Sequence, residues 1–142
     1  MTYLNYPIFY LIDKDFDTEG NIINPNVPNT IPVVMMIQTA KCAWCIRAKP
    51  AYQQLADDYG YRISINSSNV SNTNKGNELA FFTTIHPGGE MKGEKQLSSI
   101  IPKIDKNFRG FPHYIVYNNG KRIPYEGNRS YEDLKKFLES LN

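Results

Sequence analysis

Apolar positions along this chain follow two different spacings, and the change between them marks out the elements. Val33-Val34-Met35-Met36-Ile37 is apolar without a break, the pattern of a strand covered on both faces. Ile8–Ile12 has the same character and predicts a first short strand, also covered on both faces. Between them, Asp13–Asp17 suits a turn of helix, and Thr18–Thr30 is a Gly-, Asn- and Pro-rich loop with a brief extended piece at Ile22-Ile23. Beyond Cys42 the spacing becomes helical. Ala48, Tyr52, Leu55, Ala56 and Tyr59 share one face, Pro50 kinks the helix, and Gly60 ends it. Tyr61–Asn66 alternates, which predicts a third strand parallel to the second through a right-handed crossover.

The middle of the chain is less patterned. Ser67–Asn77 is polar and turn-rich, Glu78–Ile85 reads as a short helix, and His86-Pro87-Gly88-Gly89 as a turn. Glu94–Phe108 carries a weak helical period (Leu97, Ile100, Ile101, Ile104) interrupted by Pro102. The signals sharpen after Phe111. Tyr114–Tyr117 and Ile123–Tyr125 flank Asn119-Gly120, a strong hairpin signature. Ser130 caps a last helix whose first turn is acidic and whose stripe is Leu134, Phe137, Leu138 and Leu141. No internal repeat is evident, and one domain over residues 1–142 is the expectation.

Composition narrows the function classes. A net charge of +2 with scattered basic residues argues against a nucleic-acid or membrane-surface partner. The N-terminal MTYLNYPIFYLIDKD has no basic region, and Asn5 and Pro7 interrupt its apolar core, so no secretory signal is expected. No run approaches the roughly 18 apolar residues of a membrane span. A cytoplasmic or otherwise intracellular location is expected; oligomeric state is not legible.

The chemistry concentrates in Cys42-Ala43-Trp44-Cys45, which holds both cysteines of the chain at a strand-to-helix junction. With none left for a structural framework, the pair is a redox dithiol or part of a metal site. At a helix N-terminus, Cys42 meets unpaired backbone N–H groups and the positive dipole end, which stabilise a thiolate. Lys41 pushes the same way. Cys45, one turn on and less exposed, is placed to close a disulfide with Cys42. Only His86 and His113 could complete a zinc site, and their spacing fits no zinc-finger pattern. His86 is expected to be solvent-exposed, and His113 to lie near the cysteines or to pack on the sheet. Trp44, between the cysteines, is expected to be exposed as an apolar contact for a protein substrate.

This order of elements, with C-x-x-C opening the helix after a central strand, resembles the thioredoxin superfamily from about Ile8 to Leu141. The family's helix proline matches Pro50, five residues after Cys45. Its cis-proline matches Pro112 in Arg109-Gly110-Phe111-Pro112, and its hairpin turn matches Asn119-Gly120. Tyr125-Glu126-Gly127-Asn128-Arg129 is similar to the C-terminal segment of protein disulfide isomerases. The resemblance implies an α/β thioredoxin fold, a central mixed sheet flanked by helices. It also implies thiol–disulfide exchange through Cys42 as nucleophile and Cys45 as resolving thiol. The partners would be protein thiol or disulfide substrates and a redox partner protein. No cofactor or metal is implied beyond the redox-active Cys42–Cys45 disulfide. It further implies that Phe111 and a cis Pro112 present backbone to an extended substrate, and that Arg129 tunes the second cysteine. Three features depart from the family: its buried acid, six residues before the first cysteine, is Met36, the tryptophan before that cysteine is Lys41, and the dipeptide is Ala-Trp. The chain is also longer than a minimal thioredoxin before Pro112, which predicts an insertion over Asn69–Lys95. The alternative is a thioredoxin-fold binding or structural module whose dithiol is slow or incidental.

Overall fold

The computed structural model describes residues 3–63 and 74–141. Its elements in order are β1 (Phe9–Tyr10), a single 3-10 turn (Asp13–Asp15), β2 (Val33–Ile37), α1 (Ala43–Tyr59), β3 (Phe81–Ile85), α2 (Leu97–Ile104), β4 (His113–Asn118), β5 (Lys121–Tyr125) and α3 (Tyr131–Glu139). The five strands form one mixed sheet in the order β1-β3-β2-β4-β5. β1, β3 and β2 run parallel, whereas β4 is antiparallel to β2 and β5 to β4.

β2 lies at the centre, and all five of its residues are buried. Its alternation divides the core. Val34 and Met36 face α1 and α3 with Tyr52, Leu55, Ala56, Leu134 and Leu138, and Met35 and Ile37 face Leu97, Ile101 and Ile104 of α2. Each such side chain removed from water contributes about 1.5–3 kcal/mol. α1 runs through Pro50 to Gly60, whose N–H closes on the Ala56 carbonyl at 2.8 Å. Gly60 is required by proximity, because a Cβ there would strike that carbonyl. The β4–β5 turn places Asn119 at φ 53° and Gly120 at φ 77°, the backbone that an Asn-Gly hairpin needs. Ser130 Oγ caps α3 by accepting the Asp133 N–H at 3.3 Å.

The structure corrects the middle of the sequence reading. Glu78–Ile85 is not a helix, since Phe81–Ile85 is β3, a buried strand paired with β1 and β2. A five-residue strand buried on both faces carries no alternation, so periodicity does not separate strand from helix. Thr83 and Thr84 are tolerated inside because their hydroxyls donate to the Val34 and Met36 carbonyls at 2.9 and 2.8 Å. The third strand expected at Tyr61–Asn66 does not form over 61–63, where pairing stops at a single Gly60–Ala80 bridge, and the rest of that span lies outside the described residues. The crossover from β2 through α1 therefore returns at β3. The span 69–95 expected as an insertion contains β3, and its first residues, 69–73, lie outside the described residues.

β1 is shorter than Ile8–Ile12, and its two residues are half-buried at the sheet edge rather than covered on both faces. The loop over 18–30 has no strand or helix, and Phe16 bridges Ile22 in the expected extended piece. No helix among the described residues is long and apolar enough to cross a membrane.

Candidate active site

β2 delivers the chain to the cysteines. From Ile37 the backbone turns through Gln38, whose N–H donates to the Ile85 carbonyl at 3.1 Å, and reaches Lys41 in the left-handed region at φ 60°. Cys42 is the N-cap of α1, and its Sγ accepts the Cys45 N–H at 3.1 Å. The two cysteines are joined as a disulfide with their Cα atoms 5.2 Å apart. Cys45 is fully buried and Cys42 is half-buried, so only the first sulfur is open to a partner. Trp44 is 60% exposed and Ile46 50%, an apolar pair around the disulfide. The Arg47 guanidinium sits 5.1 Å from the Trp44 ring centroid and holds that ring on the surface.

The second half of the site comes from β4. Its register sets His113 opposite Ile37, so Pro112 stands at the end of the sheet from which the cysteine loop departs. The Phe111–Pro112 peptide is cis, as is Tyr6–Pro7, which the sequence did not indicate. Phe108 packs edge-on against Phe111 at 5.1 Å and against His113 at 5.4 Å. His113 Nε2 bonds Asp105 Oδ2 at 2.8 Å, so this histidine ties α2 to β4. His86 is half-buried, not solvent-exposed, with Nδ1 3.6 Å from Glu94 Oε1. Among the described residues no group of three or more His, Cys, Asp or Glu could hold a metal ion.

Phe111, Pro112 and Tyr114 line a cleft of about 330 Å³ together with Arg109, Glu126 and Arg129. Arg129 is thus brought beside the cis-proline. Its backbone is fixed by a turn in which the Tyr125 hydroxyl donates to the Asn128 carbonyl and Asn128 Oδ1 accepts the Ser130 N–H at 2.8 Å. Lys41 is exposed in the loop immediately before Cys42.

Comparison with known proteins places this geometry. The chain is 37% identical over 138 residues to thioredoxin-like protein 453L of Invertebrate iridescent virus 6, covering 96% of this chain and 95% of that protein. The chain belongs to the thioredoxin-like proteins. Its fold is similar to the J-Trx1 fragment of ERdj5, with TM-score 0.58, 16% identity and 94% of this chain covered. The chain spans 50% of that fragment's length. It is also similar to the short form of spinach chloroplast thioredoxin f, with TM-score 0.57, 15% identity, and 94% and 92% of the two chains covered. No family model matches the sequence.

Against this thioredoxin-like frame the departures take on physical meaning. Met36, where the superfamily carries a buried acid, is fully buried, and its cross-strand neighbours are Thr84 and Tyr114. The Tyr114 hydroxyl is buried and has no hydrogen-bond partner among the described residues. Burial pushes its phenol well above the usual range, and the Arg129 charge pulls the other way. A second cleft of about 650 Å³ is lined by Gln38, Ala40, Lys49, Glu94, Tyr10 and Met91 among others. Burial lowers the Lys49 amine below its ordinary value. Sequence reasoning missed Glu94 and Tyr114, and weighed Lys49 only as a positive charge on the turns after Cys42. Only Lys49 left a trace: it lies four residues after Cys45, on the face of α1 that is otherwise buried.

Proposed function

We propose that this chain is a thiol–disulfide oxidoreductase acting on protein substrates, with residues 1–142 forming one domain. The observation that carries this reading is the asymmetry of the disulfide. Cys42 is a half-exposed helix N-cap whose Sγ receives a backbone N–H, and Cys45 is buried one turn on. In the reduced protein the same N–H and the helix dipole favour the Cys42 thiolate. That thiolate attacks a substrate disulfide. A Cys42–substrate S–S bond forms, the substrate S–S bond breaks, and the departing sulfur takes a proton. Cys45 then gives up its proton and attacks Cys42 Sγ, closing Cys42–Cys45 and releasing the second substrate thiolate, which is protonated. Two electrons pass from the dithiol to the substrate. The reverse sequence oxidises a substrate dithiol.

The exposed Trp44 and Ile46 favour a polypeptide over a small polar disulfide as substrate. Phe111 and the cis Pro112 offer backbone to an extended strand, and Lys41 and Arg129 add positive charge on the two flanks. A redox partner protein would recycle the pair. A binding module of the same fold is the second reading, favoured by Met36 in place of the buried acid that would help Cys45 lose its proton.

Insulin reduction driven by dithiothreitol separates the two. The expected result is turnover that Cys42→Ser abolishes and a stable mixed disulfide that Cys45→Ser traps. Wild-type protein no faster than Cys42→Ser would remove the enzyme reading. Equilibration with glutathione buffers then assigns direction: near −270 mV the pair serves as a reductant, and near −120 mV as a disulfide donor.

A further inference from the structure

We propose that the cleft between Phe111–Pro112 and the β5–α3 turn is a subsite for a carboxylate of the polypeptide substrate, an acidic side chain close to the reacting cysteine. This rests on the redox reading above and adds a substrate preference to it. Three independent features converge. The first is place: the cleft shares Phe111 and Pro112 with the backbone on which an extended substrate would lie, so a substrate side chain near the cysteine falls into it. The second is an unmet donor. Tyr114 is 1% exposed, lines this cleft, and carries the one buried side-chain polar atom among the described residues with no partner. A buried hydroxyl without a partner is costly, and a water, an ion or a ligand supplies the missing bond in most native structures.

The third feature is charge. Arg109 and Arg129 both line the cleft, and among the described residues neither guanidinium lies within ion-pair distance of a carboxylate. The exposed Glu126 is the one carboxylate in the lining, which leaves the cleft net positive. Guanidinium forks match the planar carboxylate with two parallel hydrogen bonds, and a phenolic O–H adds a third donor. The turn from Tyr125 to Ser130 holds the Arg129 backbone in place before any substrate arrives. A substrate cation would leave these donors without acceptors, and an uncharged amide would offer one neutral carbonyl oxygen in place of two charged ones.

The test uses two cysteine-disulfide peptides that are identical except for Glu or Gln one to three residues from the cysteine. The readout is the ratio of their kcat/KM values, which cancels any general change in the redox chemistry. The expected ratio favours the Glu peptide by about tenfold, the factor that corresponds to roughly 1.4 kcal/mol. Arg129→Gln, Arg109→Gln and Tyr114→Phe should each move it toward one. A ratio of one at every position in the wild type, or a preference that none of the three substitutions alters, overturns the subsite. If neither peptide is turned over, the redox reading fails and the subsite is judged by binding. The same peptides with Ser for Cys are titrated against the protein. Tighter binding of the Glu peptide that Arg129→Gln abolishes supports the site, and equal binding overturns it.

Discussion

One cleft lies on the β3 side of the sheet and another on the β4 side, and they treat their polar groups in opposite ways. On the β3 side, Gln38 donates through Nε2 to Thr84 Oγ1 at 2.9 Å, and Glu94 Oε1 accepts the Met91 N–H at 3.1 Å and faces His86. Those groups are paired within the protein, so that cleft reads as scaffold. On the β4 side, among the described residues, the Tyr114 hydroxyl has no partner and neither Arg109 nor Arg129 is within ion-pair distance of a carboxylate. Size alone would rank the β3-side cleft first, at about 650 Å³ against about 330 Å³. Unmet hydrogen bonding reverses the order, because a polar group left without a partner has a bond still to offer to a ligand. The same contrast recurs inside one hydrophobic cluster. Tyr52 and Tyr114 have ring centroids 5.6 Å apart, yet the Tyr52 hydroxyl reaches the Thr83 carbonyl at 2.7 Å and the Val34 carbonyl at 3.2 Å.

The largest expected effect comes from breaking the satisfied side. Glu94→Ala removes the acceptor of the Met91 N–H and the partner of His86, and Glu94 itself is 5% exposed. A stability loss of roughly 1–3 kcal/mol should appear in urea unfolding. The Glu-to-Gln peptide ratio should not move. If that ratio collapsed while the protein stayed folded, the β3-side cleft would be a ligand site as well, and the contrast between the two would fail.

Next in size is Tyr52→Phe, which deletes a hydroxyl that donates to strand carbonyls in the fully buried core. A cost of about 0.5–1.5 kcal/mol is expected, with the ring packing kept. A neutral result would mean that the strand carbonyls lose nothing with this donor and that the difference between the two tyrosines is only apparent.

How much of this was legible in the sequence follows the same division between local and long-range causes. β2, α1, the hairpin and α3 were readable because each is written in its own residues: an unbroken apolar run, a helical stripe, Asn119-Gly120, and Ser130 with acidic residues after it. The disulfide was readable for the same reason, since Cys42 and Cys45 are three apart. β3 was misread because Phe81–Ile85 is decided by its partners β1 and β2, not by its own period. Tyr114 was invisible because only the β2–β4 register sets it opposite Met36. Lys49 and Glu94 are charged residue types that sequence logic assigns to the surface, and their burial is a product of packing around the β3-side cleft.

The smallest and most discriminating effect is expected from Tyr114→Phe. It removes a buried hydroxyl that bonds to nothing among the described residues and leaves the ring against Tyr52 and Tyr125. Stability near neutral pH should therefore be unchanged or higher by less than about 1 kcal/mol, the reverse of Tyr52→Phe. Alkaline pH separates the two states further. Burial holds the phenols of Tyr52, Tyr114 and Tyr117 above the ordinary value of 10.0. Above about pH 10 the unfolded chain sheds these protons while the folded chain keeps them. The folded state then binds more protons than the unfolded one, so stability present below pH 10 is lost as pH rises. Lys49 acts with the opposite sign below its ordinary value of 10.5, because its lowered amine binds fewer protons in the fold, and that contribution makes stability rise toward pH 10. Melting temperatures from pH 8 to 11 should thus fall on the alkaline side in the wild type and fall less steeply in Tyr114→Phe, which has one raised phenol fewer. Parallel curves for the two proteins would mean that Tyr114 titrates as freely as an exposed tyrosine. Its hydroxyl would then be open to solvent and not the unmet donor that sets the β4-side cleft apart.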